Sequence, residues 1–138
     1  MRALPAALAA LLFLSGCNGT ATGPSVAVSS DFQLRPSESA SLESTDARVR
    51  FDLVTADSRC PADALCVTQG DATAVFSVTR AGGSATSLAL HTAGEGRRGS
   101  AEGFTLTLVR LDPYPYASRP ISLSDYRALL RVDPALGR

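Results

Sequence analysis

Apolar and polar residues alternate along most of the chain from Ser30 onward. Because successive side chains of a strand point to opposite faces, this period of two is typical of strands with one buried face. The pattern predicts six strands, the first two of them weaker and separated by Pro36. They cover residues 30–35, 37–42, 48–53, 72–80, 85–92 and 104–109.

The apolar positions within these strands predict the core. They are Val49, Phe51, Leu53, Ala74, Phe76, Val78, Leu88, Leu90, Phe104, Leu106 and Leu108. Gly82-Gly83 predicts a hairpin turn, because glycine adopts positive φ without steric cost. The glycine-rich segment 94–99 predicts an exposed loop.

Residues 125–132 fit two structures. As a strand, Tyr126, Ala128, Leu130 and Val132 would share a face. As a helix, the segment would be capped by Ser124 and would have only two turns before Pro134. The short length favours the strand.

Together these segments predict an all-β fold, because no long amphipathic helix competes with the strands. Seven to eight short strands separated by glycine and proline are typical of a single small antiparallel β-sandwich or barrel. One loop of this domain is expected to be clamped by a disulfide.

The N-terminus has the pattern of an export signal. Arg2 precedes a twelve-residue apolar stretch, residues 3–14, which is too short for a transmembrane helix but matches the core of a signal peptide. It ends in Leu14-Ser15-Gly16-Cys17, which resembles the lipobox of bacterial lipoproteins. The resemblance implies cleavage before Cys17, and diacylglycerol and an acyl chain such as palmitate on that cysteine, which anchor the protein to a membrane.

The lipobox divides the chain into three predicted parts. Residues 1–16 form the signal peptide, 17–29 the lipidated cysteine with a flexible tether, and 30–138 the β-rich domain. Asn18 follows the cysteine, and since the inner-membrane retention signal of lipoproteins is an Asp there, the resemblance implies the outer membrane, facing the periplasm, in a Gram-negative cell. The predicted partners are the membrane, through Cys17, and an envelope protein. After cleavage, twelve arginines face thirteen acidic residues, so no nucleic-acid surface is predicted.

Cys60 and Cys66 remain after Cys17 is assigned to lipid. In an oxidising compartment, two cysteines this close are expected to form a disulfide. A redox-active pair would have two intervening residues rather than five. A zinc site needs three or four ligands, and the mature chain adds only His91 to the two thiols.

A second resemblance surrounds these cysteines. Asp57-Ser58-Arg59-Cys60-Pro61, followed by Cys66 and Gly70-Asp71-Ala72, resembles a pattern of small bacterial lipoproteins of unassigned function. The chain departs from that pattern at Thr68, where an aromatic residue is expected, and at Asp71, where Asn is commoner. A fainter likeness extends to residues 111–115 and 125–126. The resemblance supports the β fold and implies no mechanism.

No catalytic residue, metal ligand or cofactor is predicted. His91 is the one histidine of the chain, and no nucleophile elbow, zinc-protease motif or phosphate loop is present. Asp57, Asp63 and Asp71 cluster in sequence and could offer oxygens to calcium, but without the spacing of a calcium loop. Turn-capping explains them more simply.

Two pairs of residues are the candidate binding surface. Arg97 and Arg98 lie on the glycine-rich segment and could meet an acidic partner. Tyr114 and Tyr116 alternate with Pro113 and Pro115 and could contact a protein or glycan, or simply cover a sheet edge.

Three functions remain open. The favoured one is a membrane-tethered, non-enzymatic binding or structural module of the cell envelope. The second is an inhibitor or ligand-scavenging protein that presents the loop 57–70, which requires residues 61–65 to protrude. The third is a small hydrolase, which requires His91 within hydrogen-bond reach of an acid and a hydroxyl in a cleft.

Overall fold

The computed structural model describes residues 23–136. The predicted signal peptide, the predicted lipidation site at Cys17 and the first part of the predicted tether lie outside the described residues.

The described chain contains nine strands and two 3₁₀ turns. The turns cover Glu95–Arg97 and Leu123–Asp125. The strands are β1 (Ser25–Val26), β2 (Asp31–Leu34), β3 (Ser39–Leu42), β4 (Ala47–Asp57), β5 (Ala72–Arg80), β6 (Thr86–His91), β7 (Arg98–Ala101), β8 (Phe104–Asp112) and β9 (Arg127–Pro134).

The strands form two sheets that face each other. The first has the order β1-β3-β4-β5-β6 and the second β2-β9-β8-β7. Every pairing is antiparallel except that of β1 with β3. The two sheets do not join into a closed barrel, so the all-β prediction is confirmed as a sandwich rather than a barrel.

The core lies between the two sheets and follows the predicted alternation. Phe51 and Phe76, register partners on β4 and β5, stack with ring centroids 5.0 Å apart. Leu106 and Leu108 of β8 are fully buried. The predicted core residues are buried with two exceptions, Leu88, which is partly buried, and Leu53.

Leu53 corrects the prediction for β4. A β-bulge follows Phe51, so that Leu53 rather than Asp52 is the next register partner, and Leu53 is 40% exposed. A single extra residue moves every later side chain to the other face. A second register shift in β4 follows between Val54 and Ala56. In β8, a bulge between Leu108 and Arg110 has the opposite effect, because it brings Leu111 into the core.

The ambiguous segment near the C-terminus is a strand. β9 buries Ala128, Leu130 and Val132, while Tyr126 is buried just before it. The helix alternative is therefore wrong. The strand also pairs on both sides, with β2 and β8, which satisfies its backbone groups.

The folded domain begins earlier than the predicted boundary at Ser30. Val26 and Val28 pack against the core, and the backbone N–H of Ser29 donates to the carbonyl of Val132 at 2.7 Å. The end of the predicted tether is therefore part of the sandwich, because two valines two residues apart bury one face.

The glycine segments differ from one another. At Gly82, φ is +73° and the chain turns from β5 toward β6 as predicted. Segment 94–99 is not entirely a loop, because a 3₁₀ turn and the start of β7 lie within it. Within residues 23–136, no helix has the length and apolar character needed to cross a membrane.

Because of the bulge in β4, Leu53 and Leu106 are expected to differ in how much they stabilise the fold. Leu106→Ala removes a fully buried side chain and is expected to lower the free energy of unfolding by about 2–5 kcal/mol. Leu53→Ala truncates a half-exposed side chain and is expected to cost about 1 kcal/mol or less. Urea denaturation measures both, and equal losses would contradict the exposed position of Leu53.

Candidate functional site

The site is organised by Arg59, a buried arginine in the loop between β4 and β5. Residues 58–71, which we call the disulfide loop, connect these strands. The Arg59 side chain is only 6% exposed. Its Nε and Nη2 donate to the two carboxylate oxygens of Asp57 at 2.8 and 2.6 Å. This bidentate geometry is the strongest arrangement of an arginine and a carboxylate.

Asp57 is also held by a residue distant in sequence. The hydroxyl of Tyr126 donates to Asp57 Oδ2 at 3.0 Å. Burial raises the pKa of the Asp57 carboxyl, but hydrogen bonds from Arg59 and Tyr126 outweigh this effect, and the net pKa lies below the usual value. Burial and the hydrogen bond to Asp57 raise the pKa of Tyr126 to about 12. Asp57 is thus an anion and Tyr126 a neutral donor at neutral pH.

The remaining donors of Arg59 reach the end of β8 and the loop that follows it. We call residues 113–126 the proline loop. Nη1 donates to the carbonyl of Leu111 at 2.7 Å and Nη2 to that of Pro113 at 3.0 Å. The guanidinium also lies 5.4 Å from the ring centroid of Tyr114, within range of a cation–π interaction. The three sequence segments of the second resemblance therefore meet at this arginine.

The base of the disulfide loop is closed by backbone contacts. Ser58 N–H donates to Asp71 O, and Cys60 N–H to Gln69 O, both at 2.7 Å. At Gly70, φ is +67°, and a Cβ there would lie 1.8 Å from the carbonyl oxygen of Ser58. Only glycine fits this position.

The predicted disulfide between Cys60 and Cys66 is confirmed. It closes the tip of the disulfide loop beyond the backbone contacts at its base. The tip is also joined to the proline loop, because Ala62 N–H donates to Pro115 O at 2.9 Å and Ala117 N–H to Asp63 Oδ1 at 2.7 Å. The two loops therefore form one unit at this end of the sandwich.

This unit exposes apolar side chains. Leu65 and Val67 are fully exposed, at 105% and 104%, and Tyr114 and Tyr116 are half exposed. Within residues 23–136, these are four of the seven large apolar side chains that are exposed. We call Leu65, Val67, Tyr114 and Tyr116 the two-loop surface. Clustered apolar exposure of this kind marks interaction sites.

The two predicted arginines make different contacts. Arg97 lies on the 3₁₀ turn, and its Nε and Nη2 donate to the carbonyls of Leu108 and Val109 at 3.3 and 2.6 Å. These carbonyls lie beyond the stretch of β8 that β7 pairs with, which ends at Thr107. Arg98 is exposed on β7. Both arginines line a shallow depression beside β8, and only Arg97 also binds the end of that strand.

A cleft lies between Arg97 and the disulfide loop. Its volume is about 180 Å³. One side is the end of β8 that lies beyond its pairing with β7, and the other consists of Gln69, Gly70, Thr92 and Ala93. Arg59, Arg97 and Tyr114 also line it.

His91 pairs with Asp71. Its Nδ1 lies 2.5 Å from Asp71 Oδ2 and 3.4 Å from the hydroxyl of Thr73. Partial burial raises the pKa of Asp71, but hydrogen bonds from His91 and Thr92 outweigh it, so the net pKa is lowered. A histidine that relays a proton contacts the acid through one nitrogen and the nucleophile through the other. Here both the Asp71 carboxylate and the Thr73 hydroxyl face Nδ1. The contact with Thr73 joins β5 to β6.

The three acids of the calcium alternative do not converge. Asp57 binds Arg59, Asp63 accepts from Ala117, and Asp71 binds His91. In the part of the chain that the structure describes, no three His, Cys, Asp or Glu side chains are placed to hold a metal ion. Each carboxylate thus has a separate structural partner.

No pattern in the sequence indicates the exposure of Val67 or the central position of Arg59. Val67 follows Cys66 outside any alternating segment, so no period marked it as exposed. Arg59 stands between an acid and a cysteine in a polar run. Its burial depends on Leu111 and Pro113, more than fifty residues away, and no local pattern reports such a contact.

Because the Asp57–Arg59 ion pair is buried, breaking it is expected to destabilise the fold more than breaking an exposed ion pair. Asp57→Asn leaves a buried guanidinium without its carboxylate and is expected to cost about 3 kcal/mol at neutral pH in urea denaturation. Asp46→Asn is the matched control, because Asp46 binds Arg80 at 2.8 Å with both side chains about half exposed. It is expected to cost less than about 1 kcal/mol.

The Asp57–Arg59 ion pair also makes the stability of the fold depend on pH under acidic conditions. Because the native pKa of Asp57 is lowered, its stabilisation is complete above the unfolded value of about 3.9 and is lost as the pH falls through the native pKa. The stability of the wild type is therefore expected to fall more steeply below about pH 4 than that of Asp57→Asn. Parallel curves would contradict the ion pair.

Comparison with protein-family models, with curated proteins and with solved structures finds no match to this chain.

Proposed function

We propose that this protein is a lipid-anchored lipoprotein of the bacterial cell envelope whose β-sandwich binds a protein partner through the two-loop surface. The lipid anchor is attached at Cys17 and places the domain at the outer membrane, facing the periplasm. The binding is non-enzymatic. The proposal combines the lipobox resemblance with the geometry of the two loops.

The observation that carries the proposal is the full exposure of Leu65 and Val67 on a constrained loop. A single exposed leucine is common on protein surfaces. Two fully exposed apolar residues flanking a disulfide-bonded cysteine, beside two half-exposed tyrosines, are a cluster of the kind found at binding sites. Tyrosine is also enriched among the residues that contribute most to protein interfaces.

The rigidity of the loop supports binding as well. The disulfide, the backbone contacts at the loop base and the hydrogen bonds to the proline loop fix its conformation. A loop that is already ordered loses less conformational entropy when a partner binds. The stability of the disulfide loop would not by itself require apolar side chains at its tip.

The position of the surface is compatible with an N-terminal anchor. Gly23 lies against Ser39, which is the register partner of Arg50. The disulfide loop leaves β4 after Asp57, seven residues further along, a separation of roughly 20 Å at 3.3 Å per residue. An anchor that precedes Gly23 therefore attaches away from the two-loop surface.

An inhibitor that presents the disulfide loop is the second candidate. It requires residues 61–65 to protrude, and residues 62–69 are all exposed. The two candidates use the same surface and differ in the partner, which for an inhibitor is an enzyme. Identification of the captured partner distinguishes them.

The binding surface is tested by crosslinking the lipidated protein in its own envelope and identifying captured proteins by mass spectrometry. The double substitution Leu65→Ser with Val67→Ser is expected to lower capture of a specific partner by about tenfold or more, as expected for central apolar contacts. Leu136→Ser is the matched control, because Leu136 is 95% exposed outside this surface. Equal capture by all three proteins would overturn the proposal.

The anchor is tested separately. Cys17→Ala removes the thiol that accepts the lipid, so the unprocessed and unlipidated precursor is expected to accumulate. Intact-mass spectrometry of the membrane and soluble fractions checks this result, with Cys60→Ala as the control for loss of a cysteine. A lipidated Cys17→Ala protein would contradict the lipobox assignment.

A further inference from the structure

The cleft beside the two-loop surface has an unbalanced charge. Arg59, Arg97 and Arg110 line it, and no acidic residue does. Asp57 neutralises Arg59, and Asp112 neutralises Arg110 through a 2.7 Å contact. Arg97 contacts only carbonyl oxygens, so the cleft retains about one positive charge.

Two acids near Arg97, Glu95 and Asp71, form no ion pair with it. Glu95, on the same 3₁₀ turn, shares a neighbouring depression with Arg97 but does not line the cleft. Asp71 binds His91, Thr92 and the backbone N–H of Ala93. Among the described residues, no ion pair includes Arg97.

Arg97 also has donors to spare. Its Nε and Nη2 are used on the end of β8, and the described residues supply no hydrogen-bond partner for Nη1. The two contacts fix the plane of the guanidinium. A guanidinium held in this way favours a planar anion such as a carboxylate, which accepts two parallel hydrogen bonds.

The cleft is continuous with the two-loop surface. Tyr114 and Gln69 line both the cleft and the depression beneath the disulfide loop. A segment that covers Leu65 and Val67 can therefore place a neighbouring side chain or chain end in the cleft. The cleft volume of about 180 Å³ suits a small group.

We infer that the cleft binds a carboxylate of the partner, so that the partner segment joins apolar side chains to an acidic residue or a C-terminus. Arg97 is the residue that contacts the carboxylate, and Tyr114 covers one side of it. This inference rests on the proposed function for the identity of the occupant. A single uncompensated guanidinium matches one carboxylate better than a doubly charged phosphate.

The test is an NMR titration of the isotope-labelled full chain with N-acetyl-L-leucine, a carboxylate beside an apolar side chain. N-acetyl-L-leucinamide is the matched ligand without charge. The carboxylate is expected to shift the amide signals of Gly70, Thr92 and Ala93 and to saturate below about 50 mM, whereas the amide does not. Equal shifts from both ligands, or none from either, would overturn the inference.

Two adjacent arginines provide the matched variants. Arg97→Gln and Arg98→Gln remove the same charge, but only Arg97 lines the cleft. Arg97→Gln is expected to weaken carboxylate binding about tenfold or more, and Arg98→Gln less than about twofold. Arg97→Lys keeps the charge and is expected to be intermediate, which guards against a folding defect in the glutamine variant. Equal weakening by Arg98→Gln would contradict the assignment.

Two further experiments distinguish a carboxylate from other ligands and the cleft from the two-loop surface. Tighter binding of inorganic phosphate, or Arg97-dependent binding to phosphatidylglycerol vesicles, would replace the carboxylate with a phosphate or lipid ligand and overturn the inference. The Leu65→Ser, Val67→Ser protein is expected to bind N-acetyl-L-leucine normally. Loss of partner capture with intact carboxylate binding thus reports on the two-loop surface alone. Loss of carboxylate binding with intact partner capture reports on the cleft alone.

Discussion

The bidentate contact between Arg59 and Asp57 is the interaction on which the loop end of the sandwich depends. A charged group removed from water is costly unless its donors are matched. Four hydrogen bonds to Asp57, Leu111 and Pro113 meet this requirement for Arg59. Because these partners lie on different segments, the charge can be buried only when both loops are in place. The ion pair therefore specifies their relative position.

The two-loop surface follows from that constraint. With the loop bases fixed around Arg59 and the tip closed by the disulfide, Leu65 and Val67 have no apolar side of the sandwich to pack against. The contacts at the loop bases and the disulfide, which hold the tip away from the sandwich, also make it rigid. A rigid apolar tip beside tyrosines has the properties of a preorganised binding site.

The cleft has a related origin at the edge of the second sheet. β7 pairs with only the first four residues of β8, which leaves the rest of that strand with carbonyls to satisfy. Unpaired edges invite association with other chains. Arg97 and Arg59 bind these carbonyls instead. The side chains that protect the edge also give the cleft its positive charge.

The amino-acid sequence by itself determined seven of the nine described strands, the core side of β5 and β8, and the disulfide, because alternation and cysteine spacing act over a few residues. Only the tertiary structure decided the bulge that exposes Leu53, the early start of the domain at β1, the strand β7 in the glycine-rich segment, the burial of Arg59 and the binding of Arg97 to the end of β8. Each of these depends on pairing or hydrogen bonding between segments far apart in the chain. The physical reason is that a local pattern records which side chains are apolar, whereas the partner of a buried charge or a shifted strand is set by the opposing segment.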